Sequence, residues 1–245
     1  MKLEELQKNW NKFGSSDPLW GILAWPDKSE NRWQIDEFFA TGVREIDNVL
    51  AYVAGLALTV RLGTALDFGC GVGRLCQALA PHFDAVHGVD ISPAMLALAE
   101  HYNQGGERCH YHLNERADLT LFGDRSFDFI YSNITLQHMQ PRYSKAYMAE
   151  FVRMLAPGGV LIFQAPDRAK RWRHRLLQPI KPTSIFRTYQ KLRYGDKPVM
   201  DMYGVPRSEV VRLLAAHGGR VVDVQPDTSA DALWYSYRYC VTKTA

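Results

Sequence analysis

The sequence predicts an α/β protein built on a doubly wound, seven-stranded, mostly parallel sheet. Three observations predict it. From Thr64 onward, short apolar runs alternate with helical stretches. A glycine-rich loop, Asp67-Phe68-Gly69-Cys70-Gly71-Val72-Gly73, follows the first of those runs and opens a helix. The last two runs are joined by only about eight residues, short for a parallel crossover, so one of them is expected to run antiparallel.

The elements follow in order. Leu3, Leu6, Trp10 and Phe13 recur at three- and four-residue spacing and mark the apolar face of a helix. Asp17-Pro18 and Pro26-Asp27 break the turn-rich stretch from Gly14 to Arg32. Trp33 to Leu58 reads as helix, interrupted near Thr41-Gly42. Strands are expected over Thr64–Phe68, Ala85–Val89, Cys109–Leu113, Phe127–Ser132, Val160–Gln164, Val221–Gln225 and Trp234–Val241. Helices are expected over Gly73–Pro81, Pro93–Tyr102, Pro141–Leu155 and Pro206–His217. Proline opens three of these, and Pro157-Gly158-Gly159 or Gly218-Gly219 closes two. Residues 1–60 then form an N-terminal helical cap. Residues 61–245 form the sheet domain, with an insertion at 167–204 after the fifth strand.

Composition narrows the class. The chain has 245 residues, 47% hydrophobic and 22% charged, which excludes a disordered chain, a fibre or a coiled-coil rod. The longest apolar run, Val49 to Val60, stops at Arg61, short of the ~18 residues of a membrane span. Met1-Lys2-Leu3-Glu4-Glu5 holds no apolar signal core, and Cys70, Cys76, Cys109 and Cys240 form no C-x-x-C pair. Reduced thiols, no metal and a cytoplasmic location are therefore expected. Of the 29 Lys/Arg and 26 Asp/Glu, ten and two lie between Asp167 and Lys197, so that segment carries the whole positive balance. It reads either as a contact for something anionic or as a solvated surface insertion.

The glycine loop points to a nucleoside. Glycine permits positive φ and leaves no Cβ to obstruct a ligand. Asp90 ends the second strand about 17 residues past Gly73, where a carboxylate accepts both hydroxyls of a ribose. The loop spacing is G-x-G-x-G, and Arg74 stands where a dinucleotide loop would have its last glycine. Asp67, two residues before the first glycine, would repel a diphosphate but not a cationic amino-acid tail.

Asp67-x-Gly69-x-Gly71-x-Gly73 resembles the first motif of the class I, seven-stranded, Rossmann-like S-adenosylmethionine-dependent methyltransferases, in the methyltransferase type 11/12 group. Val89-Asp90-Ile91-Ser92-Pro93-x-Met95 resembles the second. Asp124-x-Ser126-Phe127-Asp128-x-Ile130-x-Ser132 and Leu155-x-Pro157-Gly158-Gly159-x-Leu161 resemble later blocks. The resemblance implies the sheet order 3-2-1-4-5-7-6 with the seventh strand antiparallel. It implies that S-adenosylmethionine lies along Gly69, Cys70, Gly71 and Gly73, with Asp67 near its ammonium. Asp90 would take the ribose, Ile91 and Met95 would pack on the adenine, and Asn114 or Glu115 would meet the adenine amino group. Asn133 would come near the reacting methyl. Asn133-Ile134-Thr135-Leu136 departs from the Asn-Pro-Pro-Tyr that accompanies amide-nitrogen methylation in the superfamily, which disfavours that chemistry.

A sulfonium methyl needs proximity and alignment more than activation. A base helps only where the nucleophile must lose a proton, and His138 is the candidate catalytic base, with a pocket wall as its alternative role. Phe38 to Gly42 is expected to form a lid and Trp10 to pack in the core. Arg168, Lys170, Arg171, Arg173 and Arg175, with Tyr189, Tyr194 and Tyr203 downstream, suit an anionic acceptor. The expected activity is methyl transfer to oxygen or nitrogen of a small, anionic metabolite. An RNA methyltransferase and a non-catalytic S-adenosylmethionine-binding module stand as alternatives. Nucleic acid is the less expected partner, because basic charge is confined to one segment. Oligomeric state is not legible.

Overall fold

A computed structural model describes residues 2–171, 195–196 and 198–243. Its sheet has the order β3-β2-β1-β4-β5-β7-β6. The strands are β1 Thr64–Phe68, β2 Ala85–Asp90, β3 Cys109–Leu113, β4 Phe127–Ser132, β5 Leu155–Ala169, β6 Gly219–Pro226 and β7 Trp234–Lys243. The pairs joining β3, β2, β1, β4 and β5 are parallel, and β7 runs antiparallel to both β5 and β6. The short β6–β7 connection produces that reversal, as the sequence predicts.

The helices are α1 Leu3–Ser16, α2 Pro18–Ile22, α3 Ile35–Gly55, α4 Arg74–Leu79, α5 Pro93–His101, α6 Pro141–Met154 and α7 Arg207–Ala216. Strand alternation sorts the core into two layers. Leu66, Ile130, Leu161, Phe163, Tyr239 and Val241 face α6 and α7. Ala65, Phe129, Tyr131, Val160, Ile162 and Cys240 face α3 and α4. A third cluster of Phe13, Leu19, Trp33, Phe38, Val72 and Met95 joins the N-terminal helices to α5. No helix among the described residues is long and apolar enough to cross a membrane.

Two boundaries differ from the sequence expectation. Helix α3 runs unbroken through Thr41-Gly42. Gly42 marks close packing and not a break: a Cβ there would stand 2.6 Å from the Arg74 carbonyl oxygen. Strand β5 begins at Leu155 and continues to Ala169. It absorbs Pro157-Gly158-Gly159 because Leu155 already pairs with Phe127, and a register shift then accommodates the extra residues. Its far end is held by β7, which pairs as far as Ala169. Residues 167–169, expected to open the basic insertion, are therefore part of the sheet. Arg173, Arg175, Tyr189 and Tyr194 lie outside the described residues.

One buried charge fastens α3 to the sheet. The Arg74 side chain is only 3% exposed, and its Nη2 donates to Glu45 Oε2 at 2.8 Å. Glu45 Oε1 accepts from Tyr131 OH (2.8 Å) and Asn133 Nδ2 (2.7 Å). Removing Glu45 strands a buried guanidinium, a change that costs about 3–5 kcal/mol in comparable pairs. Glu45→Ala is expected to lower unfolding stability by about 3 kcal/mol in urea titrations, against a smaller loss for Glu45→Gln, which keeps an acceptor. A loss below ~1 kcal/mol would mean that the guanidinium finds another partner.

Candidate functional site

The chemistry-bearing loops gather beyond the carboxyl ends of β1, β2 and β4, where open α/β sheets bind ligands. Gly69, Gly71 and Gly73 have φ of 81°, 54° and 80°, a region that side chains with a Cβ seldom enter. The backbone there is hung on β2. Gly69 N–H and Cys70 N–H donate to the Val89 carbonyl at 2.8 and 3.1 Å. Gly71 N–H donates to Asp90 Oδ2 at 2.9 Å, and Ser92 N–H donates to Asp90 Oδ1 at 2.8 Å. Two lone-pair sites on the carboxylate are used in this way, out of roughly four. Burial nevertheless pushes the Asp90 carboxyl above its ordinary range, against the pull of these amides.

A cavity opens above this loop. Its walls include Leu6 and Trp10 of α1, Ile22 of α2, Gly69, Cys70 and Gly71, Asp90 and Ile91, Met95, Asn114, Asn133 and His138. Nine of the residues expected at the site thus meet around one space. Asp67, Gly73 and Glu115 do not line it. Gly73 instead gives room for the Tyr111 hydroxyl, which would stand 2.5 Å from a Cβ at that position. Glu115 is exposed and accepts from Gln7 Nε2 at 2.6 Å. Asn114 does reach the wall, while its side chain organises the loop after β3: Nδ2 donates to the carbonyls of Arg116 and Asp118.

Asp67 lies beneath the loop with 1% of its surface exposed. Cys76 Sγ donates to its Oδ2 at 3.3 Å, and its Oδ1 has no hydrogen-bond partner. Burial pushes this carboxyl up to about 7, although the Cys76 thiol and the Arg74 guanidinium act in the opposite sense. A buried acceptor left open next to the glycine loop is complementary to a cationic donor.

The lid comes from a different place than Phe38–Gly42. Phe38 is fully buried in the third cluster, and none of those five residues lines the cavity. The cover is α1 with α2. Trp10, expected in the core, stands at the wall with its ring edge toward His138 at 5.3 Å. Two amides one helical turn apart hold α1 down. Gln7 Nε2 donates to the Ile91 carbonyl (3.1 Å), and Asn11 Oδ1 accepts from Ser92 Oγ (2.7 Å). Sequence reasoning missed both; the signal was an i, i+4 amide pair on the flank of an amphipathic helix. It also missed Glu45, which lies far from every motif, and Gln164, which ends a predicted strand three residues past the last motif.

His138 is 9% exposed, and both ring nitrogens are engaged. Nδ1 lies 2.9 Å from the Asp201 carbonyl and Nε2 lies 3.1 Å from Gln137 Nε2. The described basic residues sit elsewhere. Arg168 and Lys170 lie over the Tyr235 ring at 5.2 and 5.5 Å, and Arg168 borders a separate surface groove with Arg207 and Arg212. Tyr203 is buried, and its N–H donates to the Gln137 carbonyl at 2.7 Å.

Comparisons with known proteins agree with this geometry. Residues 66–163 match a family described as "Methyltransferase domain". The chain is 31% identical over 145 residues to trans-aconitate 2-methyltransferase of Delftia acidovorans, covering 56% of this chain and 52% of that protein. It is 34% identical over 143 residues to phosphoethanolamine N-methyltransferase of Triticum aestivum, covering 57% of this chain and 26% of that protein. It spans about half, or less, of the length of these curated relatives. Among solved structures, magnesium protoporphyrin IX methyltransferase of Synechocystis PCC 6803 with bound SAH shares the fold at a TM-score of 0.64 and 18% identity, covering 99% of both chains. Strand order, glycine loop and domain match converge on one stretch: residues 66–163 match a methyltransferase domain, and the chain shares the seven-stranded fold of the solved methyltransferase.

Proposed function

We propose that the chain binds S-adenosylmethionine in the cavity above the glycine loop and transfers its methyl group to a small, anionic metabolite at oxygen or nitrogen. The observation that carries this reading is the Asp90 carboxylate, fixed by two backbone N–H groups at the end of β2 with acceptor capacity to spare. A ribose diol offers two donors to such a group. Ile91 and Met95 supply an apolar surface beside it for a purine. When bound, the cofactor supplies a methyl group on a sulfonium, which is already activated for displacement. The chain's own work is positioning: the loop approaches closely because it lacks side chains, and α1 shields the space from water. Asp67, with one oxygen open, suits the cationic end of the amino-acid tail.

The acceptor reading rests on the relatives and on the nature of their acceptors. Trans-aconitate is a tricarboxylate and phosphoethanolamine carries a phosphate, so both matched enzymes are named for small anions. The domain match spans residues 66–163, which hold the glycine loop and Asp90.

Two outcomes test the cofactor site. Asp90→Ala is expected to weaken S-adenosylmethionine binding by about tenfold or more in calorimetry, as follows from ~1.5–3 kcal/mol for a hydrogen bond to a charged group. Unchanged affinity in a folded variant would place the nucleoside elsewhere. Asp67 gives the second outcome. Its carboxyl is protonated in the free protein below about 7, whereas in the unfolded chain it ionises near 3.8. Free-protein stability should therefore fall as pH rises between those values, by up to about 1.4 kcal/mol per pH unit, and Asp67→Asn should remove that slope. A ligand ammonium beside Asp67 restores its ionised form, so binding at slightly acidic pH should release a proton. Binding enthalpies in buffers of different ionisation heat read this directly, and an Asp67→Asn variant that releases as much as wild type would exclude the contact.

A further inference from the structure

The protonation of His138 can be read from its neighbours atom by atom. Ile134 N–H has only a proton to give and donates it to Gln164 Oε1 at 3.1 Å. That identifies the oxygen of the Gln164 amide. Its Nε2 then faces Ser236 Oγ at 2.6 Å and Gln137 Oε1 at 3.4 Å. With the Gln137 oxygen turned toward Gln164, the Gln137 nitrogen meets His138 Nε2 at 3.1 Å. A carboxamide nitrogen only donates, so His138 Nε2 carries no proton and its lone pair is taken. On the other side of the ring, Nδ1 faces the Asp201 carbonyl oxygen at 2.9 Å. A carbonyl only accepts, so Nδ1 carries the proton. The imidazole is neutral, in the Nδ1–H tautomer. Burial favours the same state, while the Asp201 carbonyl and carboxylate oppose it. A second proton on Nε2 would oppose the Gln137 N–H, and turning Gln137 over would oppose Gln164 in the same way.

The other titratable groups on the cavity wall are also committed. The Cys70 thiol is pushed up to about 11 by burial. The Tyr147 phenol, raised by burial as well, donates to the Arg116 carbonyl. Arg74 is paired with Glu45, and Asp90, held by two amides, gives its remaining lone pairs to the ribose diol in the methyl-transfer reading. Among the described residues that line the cavity, no side chain offers an uncommitted base at neutral pH. An amine acceptor enters as an ammonium and must surrender a proton before it can attack. A carboxylate, with a pKa of about 4, is already ionised.

We propose that Gln164 and Gln137 are positioning residues that hold His138 as a neutral wall with its lone pair occupied, and that the cavity consequently serves a carboxylate acceptor. This rests on the methyl-transfer reading above and selects oxygen over nitrogen within it. The carboxylate oxygen forms the new C–O bond as the methyl C–S bond breaks. The electron pair of that bond stays on sulfur, which becomes a neutral thioether, and no proton leaves.

The relay is tested without turnover, by side-chain nitrogen spectra of the full chain labelled at histidine. His138→Asn assigns the signals. Nδ1 protonated and Nε2 bare from about pH 6 to 8 is the expected result, with and without S-adenosylmethionine. Gln137→Glu sets an acceptor against Nε2, and the ring should then hold protons on both nitrogens at neutral pH. A wild-type ring protonated on Nε2, or one titrating with the ordinary value of about 6.5, overturns the relay whether or not the variant folds. The acceptor class is tested with methyl-labelled S-adenosylmethionine and a small-molecule cell extract. Label released as methanol by mild alkali marks a carboxyl ester and supports the proposal; alkali-stable label overturns it. Cofactor binding without any labelled product overturns the methyl-transfer reading and the acceptor class together, while the ring spectra still decide the relay.

Discussion

The carboxylate of Asp90 holds the candidate site together. It stands where β2 ends, and it accepts the amide of Gly71 on one side and that of Ser92 on the other. The first bond draws the glycine loop onto the neighbouring strand. The second starts α5, whose N-cap Ser92 accepts from Met95 N–H and bonds Asn11 of α1. One side chain therefore sets the loop, the helix beside it and, through Ser92, the lid. Burial works against its charge. The backbone amides offset that penalty only if the loop keeps its left-handed glycine geometry, so the glycines and the acid require each other.

A second buried charge does similar work on the opposite face. Arg74 follows the last glycine and turns inward to Glu45 of α3. Glu45 also holds Tyr131 in β4 and Asn133 at the cavity wall. The long helix α3 is thereby coupled to the start of α4 and to the end of β4. Ile46, Val49 and Val53 extend the same contact into the sheet core. Residues 35–55 are thus structural partners of the sheet, and the covering role falls to α1 and α2.

The last residues of the insertion, 198–203, back the lid helix and the turn after β4. Asn9 and Val199 exchange two hydrogen bonds of 2.8 Å, one in each direction. Asp201 accepts from His138, and Tyr203 N–H reaches the Gln137 carbonyl. The lid helix, this strap and the turn after β4 are consequently one hydrogen-bonded unit.

The fold was legible because its signals are local. Apolar runs of period two, prolines at helix starts and the brief β6–β7 connection each report on a few neighbouring residues, and all seven strands stand where those signals lie. The glycine loop and Asp90 were legible for the same reason, since a strand end and a tight turn constrain residue type directly. Gly42 misled, because a glycine that admits a neighbouring carbonyl looks in sequence like one that ends a helix. Glu45, Gln164, Gln7 and the state of His138 were invisible, since each depends on partners that chain folding brings from distant positions. By itself the sequence determined the strands, the glycine loop and the acid at the end of the second strand, because backbone geometry restricts which residues those places tolerate; the strand order came with the family resemblance. Only the tertiary structure decided which helix covers the cavity and which nitrogen of His138 holds its proton, because packing and hydrogen-bond direction exist only between surfaces already brought together.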